Sequence, residues 1–213
     1  MTAPAYRELD LECHVYGVAV GTVEDNQDPD HEGRVKVRFP WLDDTTISEW
    51  CRVVQPYAGP NYGAVFIPEK QTEVLLAFTH GDMVEPIVIG GLYNGKEKPP
   101  TYRDGNKQDV KMFQTKAGHV IRLDDSSQAR AVELSTAAGH DLVLDDQNKK
   151  ITISSQGGHM IEMDDTGNRI EITASGGVAK VTIDATGNIT VQGTDIQVKG
   201  TAIELSAPNI QLG

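Results

Sequence analysis

Gly118-His119-Val120-Ile121-Arg122-Leu123-Asp124-Asp125 recurs as Gly139-His140-Asp141-Leu142-Val143-Leu144-Asp145-Asp146 and again as Gly158-His159-Met160-Ile161-Glu162-Met163-Asp164-Asp165. A shortened copy, Val181-Thr182-Ile183-Asp184, follows. Between these copies runs a second series with a stride of 19 residues: Val132-Glu133-Leu134, Ile151-Thr152-Ile153, Ile170-Glu171-Ile172 and Ile189-Thr190-Val191. Every copy alternates apolar and polar residues, which is the period of a half-buried strand. The Asp-Asp pairs, Thr166-Gly167-Asn168 and Thr186-Gly187-Asn188 carry the turn chemistry that joins paired strands. Residues 115–191 therefore read as consecutive antiparallel hairpins, about ten residues to each strand and turn.

Beyond Val191 the stride shortens. Ile189, Ile196, Ile203 and Ile210 fall every seven residues, as do Val191, Val198, Leu205 and Leu212, while Gly193, Gly200 and Ala207 fill a third column. Seven is odd, so strict alternation turns each successive copy inside out unless a corner resets the register. Glycine suits such a corner because it accepts positive φ. Residues 189–213 read as short strands and corners winding about an axis.

One face of this back half is apolar throughout. Its hairpin part places Ile121 and Leu123, Val132 and Leu134, Leu142 and Leu144, Ile151 and Ile153, Ile161 and Met163, Ile170 and Ile172, and Val181 and Ile183 in phase. Its wound part continues with Ile189 and Val191, Ile196 and Val198, and Ile203 and Leu205. A single strip of hairpins with one apolar face has nothing of its own to cover that face. Of the 12 aromatic residues only Phe113 lies beyond residue 110, so no large side chain is available to fold over it. Identical strips closing on one another about an axis cover it, and small branched residues fit a narrow three-sided prism. The pattern predicts an obligate homotrimer with these residues as its core.

The front half is composed differently. It holds eleven of the aromatics and nine of the ten prolines. It offers strand-like stretches at 15–23, 34–39, 47–54, 64–67, 73–77 and 85–89, without convincing helical periodicity. Five or six short strands in about 80 residues suggest a small closed barrel, with Trp41, Trp50, Phe66 and Phe78 expected in its core. The domains expected are a tail 1–14, a barrel 15–97, a linker 98–114 and a repetitive needle 115–213.

Composition removes several function classes. Residues 1–110 carry 18 acids and 10 bases and residues 111–213 carry 13 and 9, so the halves are −8 and −4. Neither offers the basic surface that binding a phosphate backbone requires. No run of eighteen apolar residues exists, and Met1 to Asp10 lacks the basic and apolar regions of a signal peptide. Assembly in the cytoplasm is expected, with Cys13 and Cys51 as ordinary thiols.

Three stretches of the front half carry a resemblance. They are Gly33-Arg34-Val35-Lys36-Val37-Arg38-Phe39-Pro40-Trp41, then Trp50-Cys51-Arg52-Val53-Val54-Gln55-Pro56-Tyr57-Ala58-Gly59 with Gly63-Ala64-Val65-Phe66-Ile67-Pro68, and Glu73-Val74-Leu75-Leu76-Ala77-Phe78-Thr79-His80-Gly81-Asp82 with Pro86-Ile87-Val88-Ile89-Gly90-Gly91-Leu92-Tyr93-Asn94. Together they resemble the OB-fold barrel of the phage baseplate assembly protein V and valine-glycine repeat (VgrG) spike family of contractile tails and injection systems. The resemblance implies an all-β protein, an OB-fold barrel followed by a trimeric β-prism or triple-stranded β-helix needle. It implies a non-enzymatic spike that docks to a separate hub protein and tube through the barrel and pierces a target membrane. Part of a phage tail or injection particle, it would act outside the cell or across the envelope. A proline-alanine-alanine-arginine repeat (PAAR) tip protein would bind at Pro208, Asn209, Ile210, Gln211, Leu212 and Gly213. The competing readings are an OB-fold nucleic-acid-binding protein and a β-helical tailspike that cleaves polysaccharide.

Chemistry-bearing residues have plain readings. His119, His140 and His159 share the inward face, so a trimer would stack them in rings of three. Imidazole rings of this kind suit zinc, but stacked, hydrogen-bonded or water-bridged histidines beside the corner glycines are the plainer reading, and no metal is expected. Asp28-Pro29-Asp30-His31-Glu32-Gly33 begins like a calcium loop, yet the twelfth position is Phe39 where a bidentate Glu is needed. Neighbouring carboxylates on a strand point to opposite faces, so the Asp-Asp pairs read as turns rather than acid/base pairs. His80-Gly81-Asp82 also reads as a turn. No catalytic or cofactor-binding motif is present.

Overall fold

The computed structural model describes residues 15–43, 45–100 and 108–211. The expected tail 1–14 with Cys13, residues 101–107 of the expected linker, and Leu212 and Gly213 lie outside the described residues. The chain divides into two compact units, 1–99 and 100–213.

In the first unit, β1 (Val18–Asp25), β2 (Lys36–Arg38), β5 (Glu73–Ala77) and β6 (Ile87–Gly91) form an antiparallel sheet in the order β2-β1-β5-β6. β3 (Ala58–Gly59) and β4 (Tyr62–Gly63) make a separate small hairpin. Segment 47–54 joins the two edges by isolated bridges rather than by a continuous ladder. On the β2 side Val35 and Cys51 exchange N–H···O bonds of 3.0 and 2.7 Å, and on the β6 side Val54 N–H donates to Val88 O at 2.8 Å. The ladder is interrupted at Ser48, whose buried Oγ accepts the Val37 N–H at 2.9 Å in place of a main-chain carbonyl.

The core consists of Val23, Val35, Val37, Phe39, Cys51, Val74, Leu76, Phe78 and Val88. Alternation explains it: Val74 and Leu76 of β5 point inward, and Leu76 pairs with Val88. Gly21 lies beneath Leu76, where an added Cβ would stand 2.7 Å from Leu76 Cδ1 and 3.2 Å from the Arg38 carbonyl. Of the four aromatics expected inside, only Phe78 is buried. Trp41 and Phe66 are exposed, and Trp50 is half-buried beneath the Lys36 ammonium at 5.3 Å. The expected closed barrel is a four-stranded sheet bridged at its edges, and its core is filled by branched residues, Cys51 and two phenylalanines, Phe39 and Phe78, with ring centroids 6.4 Å apart. The strand expected at 64–67 is not paired in a sheet. The Gln55 side chain replaces a neighbouring strand there, accepting Phe66 N–H at 2.9 Å and donating to Phe66 O at 3.1 Å.

The second unit is a nine-stranded antiparallel meander in sequence order: β7 (Val110–Gln114), β8 (Val120–Asp124), β9 (Ala131–Ser135), β10 (Asp141–Asp145), β11 (Lys150–Ser154), β12 (Met160–Asp164), β13 (Arg169–Thr173), β14 (Lys180–Asp184) and β15 (Ile189–Gln192). It begins one strand before residue 115. β7 was illegible because Lys111 stands opposite Leu123 and Phe113 opposite Ile121, so a charge and an aromatic break the repeat's pattern.

Candidate functional site

The register of the meander aligns the apolar face into two unbroken columns. Ile121, Leu134, Leu142, Ile153, Ile161, Ile172, Val181 and Val191 stand opposite one another in succession. Leu123, Val132, Leu144, Ile151, Met163, Ile170, Ile183 and Ile189 form the second. Their own chain does not cover them: Ile153 is 46 % exposed and Ile172 48 %. A continuous apolar surface of this kind marks an interaction site.

The opposite face is ionic and better covered. Lys150 Nζ lies 3.2 Å from both Glu162 and Asp164, Arg169 lies within 3.7 Å of Glu162, Asp164 and Glu171, and Lys180 lies 2.6 Å from Glu171. Nearer β7, Arg122 bridges Asp124 and Glu133. Cross-strand opposite charges support the same register that the apolar columns require.

The two edges carry different turns. Along one, the first residue of each Asp-Asp pair organises the reversal: Asp124 accepts Ser126 N–H, Asp145 accepts Asn148 N–H and Asp164 accepts Gly167 N–H, at 2.8–2.9 Å. Asp184 does the same for Thr186 and Asn188. The Thr186 hydroxyl, the Asn188 amide and main-chain N–H groups hold its carboxyl down at about 2. A depressed carboxyl stabilises the folded chain above its unfolded value of about 3.9. That contribution is lost as pH falls from about 4 through about 2. Carboxyl carbon NMR titration is expected to place the Asp184 midpoint near 2 in the folded protein and near 4 in urea.

Along the other edge stand the histidines. In each turn a Thr or Ser hydroxyl accepts the histidine N–H, as Thr136 Oγ1 does for His140 at 3.0 Å, and Gly139 adopts φ +84° to close the turn. His119 Nδ1 then accepts Ala137 N–H at 3.3 Å, His140 Nδ1 accepts Gln156 N–H at 3.3 Å, and His159 Nδ1 accepts Ser175 N–H at 3.1 Å. Each imidazole thus stitches its turn to the next turn along the edge. The bonds require Nδ1 unprotonated, which leaves the ring hydrogen of the neutral form on Nε2. Among the described residues of one chain, no three potential ligands converge on a metal position. His140→Ala is expected to speed amide exchange at Gln156, read by hydrogen-exchange NMR, with the other two stitches unchanged.

The remaining sites are local. Asp28 does not present an open calcium loop: its carboxylate accepts N–H groups of Asp30, Glu32 and Arg34 and a two-pronged contact from the Arg34 guanidinium. That guanidinium, first among the causes, holds the carboxyl well below the usual range. Asp82 accepts Val84 N–H at 2.8 Å in the turn after β5, the turn role expected of His80-Gly81-Asp82. Burial pushes the Cys51 thiol up to about 11, so it is an inert core residue. Among the described residues no strand follows Gln192, in contrast to the short strands expected there, and the described part of the expected tip-binding end, Pro208 to Gln211, is exposed. No helix among the described residues is long and apolar enough to cross a membrane.

Comparison with known proteins agrees with this architecture. Residues 19–93 match the model of the type VI secretion system/phage-baseplate injector OB domain. The type VI secretion system spike protein VgrG1c of Pseudomonas aeruginosa is 30 % identical over 140 residues, covering 61 % of this chain and 19 % of the relative. VgrG3 of Vibrio cholerae is 28 % identical over 130 residues, 57 % of this chain and 13 % of the relative. The actin cross-linking toxin VgrG1 of V. cholerae is 40 % identical over 75 residues, but the match covers only 7 % of that toxin. The chain spans about a fifth or less of the length of these relatives. Residues 19–93 thus carry an injector OB domain of the type VI secretion and phage-baseplate kind, and the chain is similar to VgrG spike proteins.

Proposed function

We propose that this protein is the structural central spike of a contractile tail or injection system, working as a homotrimer. The observation that carries the reading is the apolar face of the nine-stranded sheet, uncovered by its own chain and following an injector OB domain. Three copies bury the columns against one another, with the residues from Ile121 to Val191 as the core. Apolar burial stabilises at about 25 cal/mol per Å², so a face eight residues long in each column favours strong association. The work is mechanical rather than catalytic. The OB unit docks to a separate hub protein and the tube. The needle transmits axial force to the target membrane, and a PAAR-like protein caps Pro208–Gly213. The spike is assembled in the cytoplasm and acts from the particle. Nucleic acid is not a partner, in keeping with the acidic halves. Light scattering of the purified full chain is expected to give three times its 23.1 kDa mass. A monomeric mass overturns the reading.

A further inference from the structure

We infer that Asn94 is a site of spontaneous deamidation in the folded chain, and that loss of its side-chain amide unfastens segment 92–97 from β5. The inference concerns the first unit alone and is independent of the trimeric reading above.

The sequence has eight asparagines, and Asn94 alone is followed by glycine. Deamidation requires the main-chain nitrogen of the next residue to attack the side-chain carbonyl carbon. A β-carbon on that residue hinders the approach, and glycine has none. Gly95 is exposed, and its N–H makes no hydrogen bond among the described residues. The attacking nitrogen is therefore unencumbered.

The fold also prepares the group that is attacked. Lys96 N–H and Glu97 N–H both donate to Asn94 Oδ1 at 2.8 Å. Two main-chain donors aimed at one carbonyl oxygen stabilise the negative charge it takes on when its carbon is attacked. Asn94 Nδ2, the leaving nitrogen, lies 3.2 Å from Glu73 Oε2 and 3.3 Å from Glu97 Oε2. Carboxylates so close favour its departure with an added proton. Asn148 and Asn188 also donate to a carboxylate, but lysine and isoleucine follow them.

The step balances with water as the one co-reactant. The Gly95 nitrogen gives its proton to solvent and bonds to Asn94 Cγ. The Cγ–Nδ2 bond breaks, and the nitrogen leaves as ammonia with a proton taken back from solvent. Water then opens the five-membered imide at either C–N bond, giving aspartate or isoaspartate.

The product cannot hold what the amide held. Nδ2 ties the segment after β6 to Glu73, the first residue of β5. An oxygen that only accepts takes its place, so the tie is lost and three carboxylates crowd together. Glu73 stands opposite Thr22 of β1, so the loosening reaches the end of the β1–β5 ladder.

Peptide mapping of the full chain, kept native in warm, mildly alkaline buffer, follows the gain of about 1 Da per conversion. Asn94 is expected to convert before the other seven asparagines, at a rate comparable to that in the urea-unfolded chain. An added Cβ at Gly95 would have nothing within 4 Å. Gly95→Ala is therefore expected to leave the first unit's thermal transition in place while slowing conversion at least about 10-fold. Asn94→Asp is expected to lower that transition by at least about 4 °C and to speed amide exchange at Leu92, whose N–H donates to Glu73 O. If this variant does not fold, aged wild-type chain supplies the comparison, its transition falling in step with the converted fraction. A native chain that keeps the Asn94 amide while the unfolded chain loses it overturns the site. Gly95→Ala converting at the wild-type rate does the same. A transition unmoved by conversion or by Asn94→Asp overturns the unfastening.

Discussion

Ile153→Asp is expected to abolish the trimer, leaving monomer or aggregate where the wild-type chain gives a single trimeric species. Ile153 stands in the middle of one apolar column, between Leu142 and Ile161. In three copies it would lie against the axis, where the neighbouring column positions, Leu142 and Ile161, offer no polar group to receive a carboxylate. An uncompensated buried charge costs on the order of 3–5 kcal/mol, and three such charges would stand within one cross-section. Repulsion among them adds to the desolvation. Thr152→Asp is the control. It places the same charge one residue away on the opposite, ionic face, and sedimentation is expected to show an unchanged trimer. If both variants remain trimeric, the columns are not the contact.

Leu76→Ala is expected to unfold the OB unit selectively. Leu76 is fully buried, paired with Val88 and packed against Gly21. Truncating such a residue costs about 2–5 kcal/mol, from lost transfer energy and a residual cavity. In a unit of this size each kcal/mol lowers the midpoint by about 4–8 °C, so a fall of at least about 10 °C is expected. Calorimetry of the full chain should show one transition moving while the transition of the second unit stays in place, because the buried cluster that contains Leu76 lies within the first unit. Phe66→Ala, at an exposed site, is expected to move the same transition by no more than about 3 °C. A comparable fall in both variants would place Phe66 in the core after all.

These two variants also mark where the sequence was legible. The meander was, because its repeat is regular: the 19-residue stride of the Val132, Ile151, Ile170 and Ile189 series sets each strand at the same phase, and the register follows. The turn role of the Asp-Asp pairs was legible for the same reason. The barrel core was not, since aromatic content indicates apolar volume but not direction. Trp41 and Phe66 point outward, and only the side-chain bonds of Gln55 and Ser48 show why the neighbouring chain leaves the regular ladder. β7 escaped notice because Lys111 and Phe113 occupy column positions that elsewhere hold small apolar residues.

By itself the sequence determined the strand periodicity, the single apolar face, the division between an aromatic front and a small-residue back, and the likeness to injector spikes. Periodicity does this because a strand's side chains alternate whatever surrounds it. Tertiary structure alone decided that the histidines are turn-to-turn stitches, that Arg34 satisfies Asp28, and that residues 193–211 make no main-chain hydrogen bond among the described residues. Those facts depend on where the folded backbone brings two groups together, since a hydrogen bond forms only at about 3 Å and with the right alignment.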